Sequence, residues 1–299
     1  TCCLRKHSGL AIYLYIVKKL RALLLILCTP LLLLGIYYWI GYSREENILI
    51  GEHVRRVRVH KPLDLKPNSP AVILLHGYGD FPRMMETYSG FSFLADKEGF
   101  LVVYPYGTNS EVDKSLSWNA GFCCGTALFN LVNDVNFLQE LKSYLVKKYE
   151  VDPNKIYLAG FSNGALLTLK IAAEKPEMFA AYGAMAGSVG GQGLGSDGWV
   201  YFPKPKIAPR VIMIHGTNDP AVPYEGGPGK YRKTLPAPLS VLSFEKSKNF
   251  WIGSGADFKW LVSKDRGHIW LGGLMEQITY GEVGKIDTTS EFWRFFNER

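Results

Sequence analysis

Short, mostly apolar runs recur along the chain, and each is stopped by a polar residue, a proline or a glycine. Ala71–Leu75, Ile156–Ala159 and Val211–Ile214 have the continuity of buried strands, and Phe100–Tyr104, Phe179–Met185 and Phe258–Val262 are predicted as further strands. Between them lie segments of helical character. Leu131–Lys148 places Val132, Val135, Leu138, Leu141 and Leu145 on one face. Phe91–Glu98, Ala165–Ala173 and Thr288–Asn297 are predicted as shorter helices. Val54–His60 alternates in part and reads as an edge strand, while Arg44–Gly51 reads as a polar connector. Lys61–Pro70 carries three prolines and is a predicted loop. Strands alternating with helices predict an α/β fold, a mostly parallel sheet covered by helices on both faces.

One stretch departs from this alternation. Ala22–Tyr42 is apolar apart from Thr29, and as a helix it would extend about 31 Å, the thickness of a hydrocarbon core. Tyr37, Tyr38, Trp39 and Tyr42 stand at its far end, where aromatic rings favour a membrane interface. Five basic residues precede it, so residues 1–21 are predicted to stay in the cytoplasm and the remainder to be exported. The stretch is predicted as a transmembrane signal anchor, or as a signal peptide cleaved near Gly41–Ser43. Residues 43–299 then form the catalytic domain. The net charge of +7 changes meaning in this light: residues 1–44 hold six basic residues and no acid, leaving 28 basic against 27 acidic beyond. The near-neutral remainder gives no electrostatic footprint for nucleic acid. At 299 residues, 47% of them hydrophobic, the chain can bury one large core.

The chemistry gathers at the ends of the predicted strands, where open parallel sheets bind ligands. Gly160-Phe161-Ser162-Asn163-Gly164 is a G-x-S-x-G pattern between a strand and a helix, the setting of a nucleophile elbow. Ser162, Asp219 and His268 follow in the order Ser, Asp, His of an α/β-hydrolase triad. A serine hydroxyl needs a base during attack, an imidazole titrates near neutrality, and a carboxylate fixes its tautomer. His76 and His215 are rival bases, although both adjoin strand-end glycines that favour a structural role. Asp265, Asp197 and Asp257 are weaker alternatives to Asp219. The N–H groups of Asn163 and Tyr78 are candidates for the oxyanion hole. Trp118, Asn119 and Phe122, with the Gly187–Gly198 loop and Trp270, are expected to line the entrance; the two tryptophans could equally be packed inside.

Together with Leu75-His76-Gly77, the block Ser117-Trp118-Asn119-Ala120-Gly121-Phe122-Cys123-Cys124-Gly125, His215-Gly216-Thr217-Asn218-Asp219, Val222-Pro223-Tyr224 and Gly267-His268-Ile269-Trp270, the elbow resembles the polyhydroxybutyrate depolymerase-like esterases, a family that includes feruloyl and acetylxylan esterases. The similarity runs from about Arg55 to the C-terminus. It implies an exported serine esterase of the α/β-hydrolase fold, acting on small-molecule or polymer-linked esters without metal or other cofactor, with the triad on Ser162, Asp219 and His268. Many relatives carry a cysteine after the tryptophan matched by Trp251, whereas Gly253-Ser254-Gly255 has none. Cys123 and Cys124 are either paired with each other or held as two buried thiols, with thiols the favoured reading, and no further cysteine completes a zinc site. A serine peptidase or acyltransferase on the same fold and a non-catalytic binding protein are the competing functions.

Overall fold

The computed structural model describes residues 17–21, 24, 26, 28–30, 43–110, 114–194, 198–237 and 258–298. The chain divides into two units, Thr1–Tyr42 and Ser43–Arg299. In the first, the described residues are helical. Among the described residues no helix is long and apolar enough to cross a membrane. The span expected at 22–42 falls mostly outside them and gains no support from the fold.

The second unit is built on an eight-stranded sheet of order β1-β2-β4-β3-β5-β6-β9-β12. Its strands are β1 (Arg44–Ile50), β2 (His53–His60), β3 (Ala71–Leu75), β4 (Leu101–Pro105), β5 (Ile156–Phe161), β6 (Tyr182–Met185), β9 (Val211–Gly216) and β12 (Phe258–Ser263). From β4 to β12 every pairing is parallel, whereas β2 pairs antiparallel with both β1 and β4 and alone runs against the other strands. Period-two alternation divides each strand between two cores. Ile73, Leu75, Val103, Leu158 and Met213 face one layer, where the helices Asp134–Tyr149 and Asn163–Glu174 contribute Phe137, Leu141, Leu167 and Ile171. Val72, Leu74, Val102, Tyr104, Tyr157 and Ile214 face the other, with Met85, Phe91 and Phe292 from the helices Pro82–Ser89, Phe91–Glu98 and Thr288–Asn297.

Several elements differ from the sequence-based expectation, among them the helices Pro82–Ser89 and Gly125–Phe129, where none was predicted. Arg44–Ile50 is the edge strand rather than a connector, and β2 lies inside it, paired along its length from Arg44↔Val59 to Ile50↔His53. The composition hides this strand because Ile48 is its only buried hydrophobic residue; charged contacts supplement its pairing. Glu46 accepts hydrogen bonds from Tyr144 (2.9 Å), Lys148 (2.8 Å) and Tyr149 (2.6 Å) on the Asp134–Tyr149 helix. The Gly187–Gly198 stretch contains β7 (Gly190–Gln192), which joins β8 (Trp199–Tyr201), β10 (Gly227–Pro228) and β11 (Lys233–Thr234) in a second, four-stranded sheet. The short helix Leu274–Tyr280 follows β12, where no element was expected.

Burial acts to raise the Glu46 pKa, but the hydrogen bonds from Lys148, Tyr149 and Tyr144 outweigh it and hold the carboxyl below its usual 4.5. A lowered folded-state pKa supplies stability above the unfolded value, and that stability is lost as the pH falls through the folded value. Glu46→Gln should therefore melt earlier than the parent at pH 7, with the gap closing as both are titrated below the carboxylate range. A melting difference independent of pH would show that the charge of Glu46 does not anchor β1.

Candidate active site

β5 delivers Phe161 to the end of the sheet, and the chain reverses at Ser162 into the helix Asn163–Glu174. Ser162 sits at φ 54° and ψ −119°, a region that an L-residue occupies at a cost of about 1–3 kcal/mol. The flanking glycines are required by the narrowness of the turn. A Cβ on Gly160 would lie 2.4 Å from the Gly164 carbonyl, and one on Gly164 would lie 2.5 Å from the Leu75 carbonyl oxygen. Ser162 N–H donates to Met185 O (3.0 Å), and Ser162 O accepts from Leu166 N–H (2.9 Å). Among the described residues the Ser162 hydroxyl holds no hydrogen bond, so it is available to a molecule in the adjoining pocket.

Asp219 and His268 meet beside the end of β9. His268 Nδ1–H donates to Asp219 Oδ2 at 2.7 Å, leaving Nε2 as the basic nitrogen of that tautomer. Asp219 Oδ1 accepts from the backbone N–H groups of Ala221 and Val222, each at 2.8 Å, which fixes the carboxylate plane. The His268 ring packs at 4.8 Å against Phe161, the residue before Ser162. The structure thus joins Asp219 directly to His268, and brings the elbow alongside through Phe161.

The loop that carries His268 is fastened by groups the sequence did not single out. Arg266 O accepts from Asn218 N–H (2.9 Å), and a Cβ on Gly216 would collide with that carbonyl at 2.2 Å. Gly267 N–H donates to Tyr280 OH (2.8 Å). Glu276, fully buried, accepts from Arg266 Nε (2.8 Å) and Gly272 N–H (2.7 Å). A seven-residue helix whose only buried residue is a glutamate has no hydrophobic period to detect.

The rival histidines are interior and structural. His76 donates from Nδ1 to Gly77 O (2.7 Å) and accepts at Nε2 from Gly107 N–H (3.0 Å). Burial drives its pKa down to about 4, against a smaller opposing effect of the Gly77 carbonyl. His215 donates to Val222 O (2.8 Å), supporting the turn that grips Asp219, and burial lowers its pKa as well despite the nearby carboxylate. Asp265 gives its N–H to Thr217 Oγ1 (2.9 Å), while Asp197, Trp251, Gly253–Gly255 and Asp257 lie outside the described residues.

The expected entrance residues need correction. Trp118 and Trp270 are 0% and 1% exposed, because each indole N–H finds an interior acceptor: His76 O (3.0 Å) and Thr289 Oγ1 (3.0 Å). Phe122 is also fully buried. Asn119 spends its side chain on Val132 O and Gly121 N–H, a loop brace rather than a substrate contact. The residues Gly187–Gly191 are buried and the stretch runs into paired strand β7, so Gly187–Gln192 form no open loop at the entrance. What lines the pocket with Ser162 is Tyr78, Cys123, Cys124, Asn163, Leu166, Val222, Tyr231 and Arg232. Cys123 and Cys124 are joined in a disulfide, against the expectation of thiols.

Tyr78 and Asn163, whose N–H groups are the oxyanion candidates, both line this pocket. Asn163 opens its helix, so its N–H has no intrahelical acceptor. Its side chain spans the Trp118 peptide, accepting from Trp118 N–H (2.7 Å) and donating to Trp118 O (3.0 Å) and Cys123 O (3.1 Å). Gly77 makes the turn to Tyr78 possible beside the elbow, since a Cβ there would meet Phe161 at 3.3 Å and Ser162 at 3.4 Å. Among the described residues no group of three or more His, Cys, Asp or Glu side chains is arranged to hold a metal ion.

An esterase family model matches residues 51–258. The bifunctional acetylxylan esterase/xylanase XynS20E of Neocallimastix patriciarum is 29% identical over 184 residues, covering 62% of this chain and 23% of that protein. Poly(3-hydroxyalkanoate) depolymerase C of Paucimonas lemoignei is 30% identical over 131 residues, 43% of this chain and 30% of the relative. The chain therefore matches only about a quarter to a third of the length of these two relatives. Among solved structures, the acetyl xylan esterase from Aspergillus awamori superposes with a TM-score of 0.57 at 18% identity, covering 85% of this chain and 98% of that one. The ferulic acid esterase AmCE1/Fae1A of Anaeromyces mucronatus gives 0.52 at 18% identity, covering 83% and 92%. At such identities the likeness is one of fold, the α/β-hydrolase fold.

Glu276→Ala would leave the Arg266 guanidinium and the Gly272 N–H without their partner. Denaturant unfolding should show a loss of about 1–3 kcal/mol. An unchanged midpoint would mean that the buried carboxylate is not what fastens the His268 loop.

Proposed function

The chain belongs to the esterase family, and on that premise we propose that it hydrolyses carboxylic esters through an acyl-enzyme on Ser162. The observation that carries this reading is the 2.7 Å hydrogen bond from His268 Nδ1 to Asp219, beside a serine on a strained strand-to-helix turn. His268 Nε2 takes the Ser162 proton as the oxygen attacks the ester carbonyl. Asp219 keeps the imidazole in the tautomer that allows this and stabilises the imidazolium that results. The N–H groups of Asn163 and Tyr78 receive the carbonyl oxygen as it becomes an anion, where one donor is worth about 2.7–4 kcal/mol of barrier. Collapse breaks the bond to the alcohol, which leaves with the proton from His268. Water then enters and gives a proton to His268 as its oxygen adds to the acyl carbon, and His268 returns that proton to Ser162 Oγ as the acyl–serine bond breaks and the acid is released.

The substrate reading follows the pocket. Cys123, Cys124, Leu166 and Val222 give it short, mostly apolar walls, which suit a small acyl group. The relatives are named for acetylxylan and poly(3-hydroxyalkanoate) esters, which supports a polymer-linked or small-molecule ester of short acyl chain. The basic flank before residue 22 and the apolar stretch 22–42 support an enzyme exported from the cytoplasm, anchored there or released by cleavage near Gly41–Ser43.

Ser162→Ala should remain folded and lose covalent labelling by a fluorophosphonate, while the parent turns over short-chain and hydroxycinnamoyl esters far faster than peptide anilides. An amine must be protonated as it departs, whereas an alkoxide or phenolate leaves readily. Comparable kcat/KM on an anilide and an ester, or full labelling of the alanine variant, would overturn the assignment. For topology, protease added to intact cells or spheroplasts should digest residues beyond Arg44; protection of that region would contradict export.

A further inference from the structure

One wall of the pocket has no part in the ester chemistry above. The turn between β10 and β11, with the first residue of β11, reads Lys230-Tyr231-Arg232-Lys233, three cations in four positions. Arg232 lines the pocket together with Ser162, Asn163 and Tyr231, and no acidic residue shares that lining. Three other partly buried arginines are matched to carboxylates, Arg55 to Asp134 (3.0 Å), Arg58 to Glu86 (2.5 Å) and Arg266 to Glu276 (2.8 Å), and a fourth, Arg210, donates to the carbonyls of Phe295 (2.9 Å) and Glu298 (3.2 Å). Arg232 is half-buried, yet among the described residues no carboxylate pairs with it. The one acid in residues 220–237 is Glu225, which makes no ion pair with it. Asp219, the other acid of this region, is already engaged by two backbone N–H groups and His268.

The hairpin is also positioned against the reacting end of the pocket. The Tyr231 ring meets the Tyr78 ring edge-on at 5.0 Å, and Lys230 Nζ lies 5.2 Å from the Tyr231 ring centroid. A guanidinium beside apolar walls, with its donors uncommitted, binds a planar carboxylate in a fork of two charge-assisted hydrogen bonds. Lys230 and Lys233 on the same turn add attraction for an approaching anion, which salt would screen.

We propose that Arg232 determines specificity, selecting esters that carry a carboxylate close to the scissile bond. This deepens the ester-hydrolase reading and rests on it. The carboxylate can belong to the acyl part, as in a half ester of a dicarboxylic acid, or to the alcohol part, as in an acidic sugar or hydroxy acid.

Two substrate pairs separate these sources. The p-nitrophenyl half ester of succinate is compared with p-nitrophenyl butyrate, and p-acetoxybenzoate with its methyl ester. At least one charged member should exceed its neutral partner in kcat/KM by roughly tenfold in the parent protein, the size of one charge-assisted contact. The pair that shows the excess identifies the side of the ester that Arg232 reads. Arg232→Gln should bring that ratio towards one, Arg232→Glu should invert it, Arg232→Lys should keep part of it, and added salt should lower it in the parent. Ratios near one in the parent, or the same ratio in all variants, would overturn the proposal. A binding arm needs no turnover: benzoate should bind Ser162→Ala more tightly than benzamide does, and the addition of Arg232→Gln should remove the difference. Equal binding of the two probes to Ser162→Ala would also overturn it. Failure of the parent on all four esters would instead sink the ester-hydrolase reading, and benzoate binding would still decide the role of Arg232.

Discussion

The close approach of backbone to backbone at Gly160 and Gly164 is the constraint on which the rest of the site depends. β5 and the helix after it can be joined by so sharp a turn only where neither glycine has a side chain, and the serine between them absorbs the remaining strain. Neighbouring strands hold the turn in place. β6 accepts the Ser162 N–H at Met185, and the end of β3 lies against Gly164. The parallel order β3-β5-β6-β9 sets these strand ends side by side, so one sheet edge presents Tyr78, Ser162 and Asp219 from three different strand exits.

Around that edge, buried polar groups do the fastening. Each is expensive unless satisfied, so each fixes the segment that satisfies it. Asp219 binds its own turn through two amides and orients His268 with its other oxygen. Asn163 grips the Trp118 peptide and the Cys123 carbonyl, tying the long loop to the elbow. Asp134 does the same further out. It accepts from Arg55 (3.0 Å) and Asn119 N–H (2.8 Å), and burial still leaves its pKa raised despite the Arg55 charge.

The sequence made the central strands legible because a strand buried on both faces must be a continuous apolar run. Ala71–Leu75 and Ile156–Ala159 are of that kind. Ser162, Asp219 and His268 stood out because they are polar residues beside strand ends. β1 did not stand out: its stability comes from pairing and from Glu46 contacts with residues about a hundred positions away, which no local window contains. The second sheet was hidden because its strands are only two or three residues long. Trp118 and Trp270 were misplaced because an indole in a loop looks available for binding, until the carbonyl or hydroxyl that takes its N–H is seen inside.

His76 carries a consequence for acid tolerance. Its Nε2 is committed to accepting from Gly107 N–H, so the folded protein resists a proton there until about pH 4, whereas the unfolded chain takes it up near 6.5. The stabilisation is complete above 6.5 and drains away as the pH falls from 6.5 to 4, about 3 kcal/mol in all. His215 pulls in the same direction. Two imidazoles kept neutral under the strand ends therefore tie the durability of the reacting edge to the acidity of its surroundings. A stability profile that slopes between those two pH values would be its signature.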